Sequence, residues 1–130
     1  MSRCTVFYED WQMQCCGEPF KIGDTVKWLV IRNPNLTFTI DVGNIDYCYE
    51  AHEPDADILS EFVGTVTAIK HLYTQYSPSP DNEKCLVCTK EVLFDATNAN
   101  GWEDDIDGMR ISGYIVTVDN YRLSPYVRNV

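Results

Sequence analysis

Six cysteines and two histidines hold most of the nucleophilic and metal-ligating capacity of this 130-residue chain. Cys85 and Cys88 form a C-x-x-C pair, "CLVC", whose spacing lets both thiolates reach one zinc ion. A structural zinc site needs four ligands at ~2.0–2.3 Å in a tetrahedral array. Cys15 and Cys16 are neighbours within "YEDWQMQCCGEPFKIGDTVKW" (Tyr8 to Trp28). Successive side chains on an extended backbone point to opposite faces, so an adjacent pair chelates poorly. One of the two with a histidine works better, and the zinc set that results is Cys15, Cys85, Cys88 and His52, with His71 as the other histidine to weigh. The competing reading of Cys15 and Cys16 is packing. In a turn between the first two strands, one would enter the core beside Trp11 or Phe20 and the other would face outward. Gly17 would allow a close backbone approach there, and Pro19 would fix the chain entering "FKIGD".

Other chemistry finds less support. A thioredoxin-like C-x-x-C needs a helix N-terminus in a βαβ setting, whereas "EKCLVCTKEVLF" reads as loop into strand. His71 sits inside a strand pattern, which favours a structural role. His52 lies between Glu50 and Glu53, which favour its charged form. No G-x-S-x-G, P-loop or G-x-G-x-x-G motif is present, so no catalytic residue is assigned and the enzyme reading ranks third. "NANGWEDDIDG" offers oxygen ligands without EF-hand spacing.

Twenty acidic against ten basic residues give a net charge of −10. Phosphate binding depends on Lys and Arg replacing counterions, so direct nucleic-acid binding is not expected. Seven carboxylates run from Asp41 to Glu61 (Asp41, Asp46, Glu50, Glu53, Asp55, Asp57, Glu61) with no Lys or Arg among them. A second acidic cluster, "WEDDIDG", starts at Trp102. Solvated loops explain such clusters simply. With Tyr47, Tyr49 and Trp102 exposed among them, Asp55, Asp57, Glu103, Asp104 and Asp105 would instead form an acidic, aromatic surface for a basic protein partner. No apolar run approaches the ~20 residues of a bilayer span. Glu9 and Asp10 interrupt any signal-like stretch, so a cytoplasmic location is expected.

The elements that must position these residues are mostly strands. Period-two patterning marks Cys4–Glu9, Asp24–Arg32, Phe62–Tyr76, Glu91–Thr97 and Arg110–Tyr121, with a shorter candidate at Thr37–Val42. Val26, Trp28 and Val30 share one face, Gly64 marks a bulge or bend, and Trp11, Trp28 and Trp102 are expected to anchor packing. The best helix candidate is short, Ala56–Phe62, capped by Asp55 or Asp57. Turn residues separate these runs and no repeat is present. The pattern predicts one all-β domain over residues 1–130, a small antiparallel, partly open SH3-like barrel or sandwich with at most one short helix.

The stretch Tyr8 to Trp28, with "DYCYEAH" (Asp46 to His52) and "SGYIVTV" (Ser112 to Val118), resembles an uncharacterised bacterial family of short proteins, a domain of unknown function. That resemblance draws attention to Cys15, Cys16 and His52 and carries no activity. The sequence is thus read first as a non-catalytic interaction protein and alternatively as a zinc-binding protein.

Overall fold

A computed structural model describes residues 2–52 and 55–127. Glu53 lies outside the described residues. The elements in chain order are β1 (Arg3–Glu9), α1 (Asp10–Cys16), β2 (Phe20–Lys21), β3 (Thr25–Arg32), β4 (Tyr47–Tyr49), a 3-10 turn (Ala56–Ile58), β5 (Ser60–Pro78), β6 (Leu86–Ala96), β7 (Asn98–Ala99) and β8 (Arg110–Pro125).

The main sheet runs β3-β4-β1-β8-β5-β6, and β3 also pairs with β5. Five strands therefore form a closed circuit, β3-β4-β1-β8-β5, so the architecture is a barrel rather than a sandwich. All pairings in it are antiparallel except β1–β4, a parallel contact of two residue pairs. The 19-residue β5 serves two structures. Its first residues, Ser60 to Thr65, pair with β3 inside the ring, and Ile69 to Pro78 pair with β6 in an arm that leaves it. Gly64 sits where the β5–β8 register shifts between Val63 and Thr65. A Cβ there would fall 2.4 Å from Val118 Cγ1, so glycine lets the two strands cross closely at the bulge.

Alternation decides what lies inside. Val26, Trp28 and Val30 of β3 are buried on one face. They meet Tyr8, Phe20, Tyr49, Phe62 and Tyr114 in the barrel core. Tyr8 is the hub of this aromatic set: its ring stacks on Tyr49 at 3.8 Å and meets Trp28 edge-on at 5.4 Å. A second cluster, Phe7, Ile45, Cys48, Leu72 and Ile115, lies apart from this core.

Three expectations need correction. Thr37–Val42 is not a strand. Its alternation is real, since Phe38, Ile40 and Val42 pack on the second cluster, but no neighbouring backbone pairs with it. The helix expected at Ala56–Phe62 is one 3-10 turn, with Asp57 N donating to Asp55 Oδ1, and Ser60 already belongs to β5. The α-helix is instead α1, inside the stretch read as a turn. Gly17 ends it, donating its N–H to Gln12 O and Met13 O. Its φ is −87°, so the glycine is required for space: a Cβ would lie 2.1 Å from Tyr8 Oη and 2.9 Å from Met13 Cα.

Candidate functional site

The helical form of Asp10–Cys16 changes the geometry of the cysteine pair. Adjacent residues on a helix diverge by about 100°, not by the half-turn of a strand. Both Cys15 and Cys16 are exposed, so neither enters the core, contrary to the expectation of one inward and one outward thiol. Their sulfurs are 2.7 Å apart. His52 reaches them from the segment after β4, with Nε2 3.0 Å from Cys16 Sγ and 3.4 Å from Cys15 Sγ. Among the described residues, the group of three or more metal-ligating atoms within 4.8 Å of one another is Cys15, Cys16 and His52.

Gln12 assembles this cluster from beneath. It is fully buried, its Nε2 donates to Tyr49 O (3.2 Å), and its Oε1 accepts from Ala51 N (3.0 Å). Those partners fix the amide orientation, because the flipped amide would face a donor with a donor. The same Oε1 lies 3.4 Å from His52 Nδ1. An acceptor at that point favours a proton on Nδ1 and leaves the Nε2 lone pair facing the two sulfurs, the tautomer a metal ligand requires. Glu50 adds a hydrogen bond from His52 N (2.8 Å), and Trp11 covers the imidazole with ring centroids 5.0 Å apart. Hydrogen bonding to Cys16, then burial, raises the Cys15 thiol above its ordinary range, and Cys15 Sγ also lies 3.7 Å from Gln12 O, to which its S–H can donate.

The structure brings Cys15 and His52 together but completes the group with Cys16. Cys85 and Cys88 stand exposed at the β5–β6 hairpin, where Asn82 Nδ2 donates to Cys85 Sγ and Cys88 pairs with Tyr76 across the strands. His71 packs within the fold, 2.7 Å from Asn98 O and 3.6 Å from Glu103 Oε2.

The residues expected on a partner-binding surface separate. Tyr49 is buried against Tyr8, and Tyr47 is half-buried against Phe62 and Tyr121. Asp55, Asp57, Asp104 and Asp105 are exposed. Glu103 is not free: its side chain is 8% exposed and accepts from Tyr114 Oη and Asn100 N. Two tryptophans expected to anchor packing are surface groups, Trp11 at 49% and Trp102 at 73% exposure. Trp11 lies on the short helix α1, which buries only Gln12 and Met13, and Trp102 lies in the loop after β7.

Asp10, at the start of α1, was not singled out by its sequence. Burial, then the neighbouring Glu103 carboxylate, pushes it up to about 6 from an ordinary 3.8. In the unfolded chain it ionises at its ordinary value. The folded chain therefore loses stability as pH rises from about 4 to about 6, and the penalty is complete above that window. After discounting for partial exposure, Asp10→Asn should stabilise the protein by about 1–3 kcal/mol at pH 7.5. Urea unfolding should show that gain shrinking as pH approaches 3.5, and a gain independent of pH would contradict the assignment.

The fold and cluster define a small β-barrel domain with an exposed thiol–imidazole centre. The chain belongs to a family of unknown function, DUF6578, whose model matches residues 2–120. No curated protein and no solved structure matches it. Among the described residues, no helix is long and apolar enough to cross a membrane.

Proposed function

We propose that this domain is a metal-binding protein whose centre, Cys15, Cys16 and His52, takes one zinc ion. The observation that carries this reading is convergence: two sulfurs and an imidazole nitrogen within 3.4 Å of one another. Tetrahedral zinc with Zn–S ~2.3 Å and Zn–N ~2.0 Å separates its ligand atoms by ~3.5–3.8 Å. The Cys15–His52 distance is close to that spacing, and rotation of the exposed Cys16 side chain opens the other two. Three protein ligands leave a fourth position for water or a partner's side chain. The function is binding rather than catalysis, in a reducing cytoplasm that keeps both thiols available.

Protein purified without an affinity tag should contain one zinc per chain by elemental analysis. Competition with a chromophoric chelator should show at least a hundredfold loss of affinity in Cys15→Ser, Cys16→Ser and His52→Ala. Zinc displaces thiol protons, so apparent affinity should fall as pH is lowered. Cys85→Ser and Cys88→Ser should bind as the parent does. A loss confined to the Cys85 and Cys88 variants would move the site to the C-x-x-C pair and overturn the proposal.

A further inference from the structure

A cleft of about 880 Å³ opens beside α1, bounded by β6, the start of β8 and the segment around Phe38. It lies within the size range of ligand pockets. Its lining is unlike the barrel core. Trp11, Trp102 and Tyr76 are all about half exposed or more, an uncommon outlay of aromatic surface. Five carboxylates line the cleft against one guanidinium, that of Arg110. Arg110 lies 4.0 Å from Asp105, so the lone cation is already matched. Asp10 Oδ1 is buried in the wall without a hydrogen-bond partner. The three remaining acids are held in place by their own contacts, Glu9 accepting from Trp11 Nε1, Glu103 from Tyr114 Oη and Glu91 from Thr39 Oγ1. Fixed negative charge and open aromatic faces together select an organic cation, because a guanidinium or ammonium gains from both ring quadrupoles and carboxylates.

We infer that this cleft docks an extended basic segment of a partner protein, with a lysine or arginine side chain laid against Trp102 and Trp11. The occupant follows from charge complementarity with a chain of net charge −10 and from a cleft of about 880 Å³, larger than one side chain fills. No metal takes part. The inference therefore stands or falls separately from the zinc reading.

The test uses the whole protein in a chelator-containing buffer, so that zinc occupancy cannot affect the result. The probe is an acetylated, amidated nonapeptide alternating arginine and lysine with glycine, labelled with fluorescein and followed by anisotropy. Binding should weaken at least tenfold with Trp102→Ala, whose exposed ring leaves the fold intact. It should weaken at least as much when citrulline and acetyl-lysine replace the charged residues. The association rate should fall several-fold between 50 mM and 300 mM salt, as screening removes steering. An unchanged affinity in Trp102→Ala would overturn the inference, as would equal binding of the neutral peptide or no binding at millimolar concentration. Two further outcomes would also overturn it. Free N-acetyl-arginine amide binding as tightly as the peptide would make this a small-molecule site. Loss of binding on Asp55→Lys with Asp57→Lys, and not on Trp102→Ala, would place the contact on the other acidic segment.

Discussion

Replacing Phe62 with alanine should cost about 3–5 kcal/mol. Phe62 is fully buried. Its ring stacks on Trp28 of β3 at 5.8 Å and on Tyr121 of β8 at 5.6 Å, and meets Tyr47 of β4 at 6.1 Å. One side chain on β5 therefore touches three other strands of the circuit. These neighbours are themselves large rings, which cannot collapse into the void without dragging their strands. A loss of this size is a substantial part of the 5–15 kcal/mol that holds a typical domain together. The urea midpoint of Phe62→Ala should fall accordingly. Phe94→Ala, on the exposed face of the β6 arm, should shift it by less than about 1.5 kcal/mol. Equal effects at the two positions would mean that the ring is not the cooperative core.

Replacing Gln12 with leucine should damage stability and zinc binding together, and a second substitution separates the two. Leucine nearly conserves volume but leaves Tyr49 C=O and Ala51 N–H without their partner, at about 1–3 kcal/mol for each group. It also removes the acceptor near His52 Nδ1, which should lower zinc affinity about ten- to a hundredfold in protein that remains folded. Gln12→Glu keeps an acceptor for Ala51 and His52 but loses the donor to Tyr49. It should therefore be destabilised and still bind zinc at least as well as the parent. Parental zinc affinity in Gln12→Leu would show that Gln12 only supports the backbone and does not orient the imidazole.

Period-two patterning located the longer strands because Trp28, Val30, Phe62 and Val116 obey the alternation a half-buried sheet imposes. It overreached at Phe38, Ile40 and Val42, where the same alternation serves packing without a paired backbone. It missed β4, β2 and β7, whose two or three residues are too few for a period to show. The helix α1 had a readable ending: Gly17 directly after it and Pro19 two residues on. Its seven residues bury the adjacent Gln12 and Met13, however, and give no amphipathic repeat. That one misreading propagated to the site. Treating Cys15 and Cys16 as extended made them a poor chelate and sent the search for ligands to Cys85 and Cys88. The resemblance to an uncharacterised family pointed to Cys15, Cys16 and His52, but without the helix it could not say that they meet. Gln12 was invisible because nothing in a glutamine's type marks it as a buried organiser.

The pairing of β1 with β8 has a consequence for the chain while it is being made. Arg3 binds Asp119 across 116 residues, and each of the seven residues of β1 has its antiparallel partner between Gly113 and Asp119. Its other strand pairing, two parallel residue pairs with β4, is short. Val6, Phe7 and Tyr8 therefore gain their full set of backbone partners only after β8 has been synthesised. Contacts this distant in sequence close slowly, since loop entropy is lost before any pairing compensates for it. A strand at the head of this fold is thus among the last to complete its pairing.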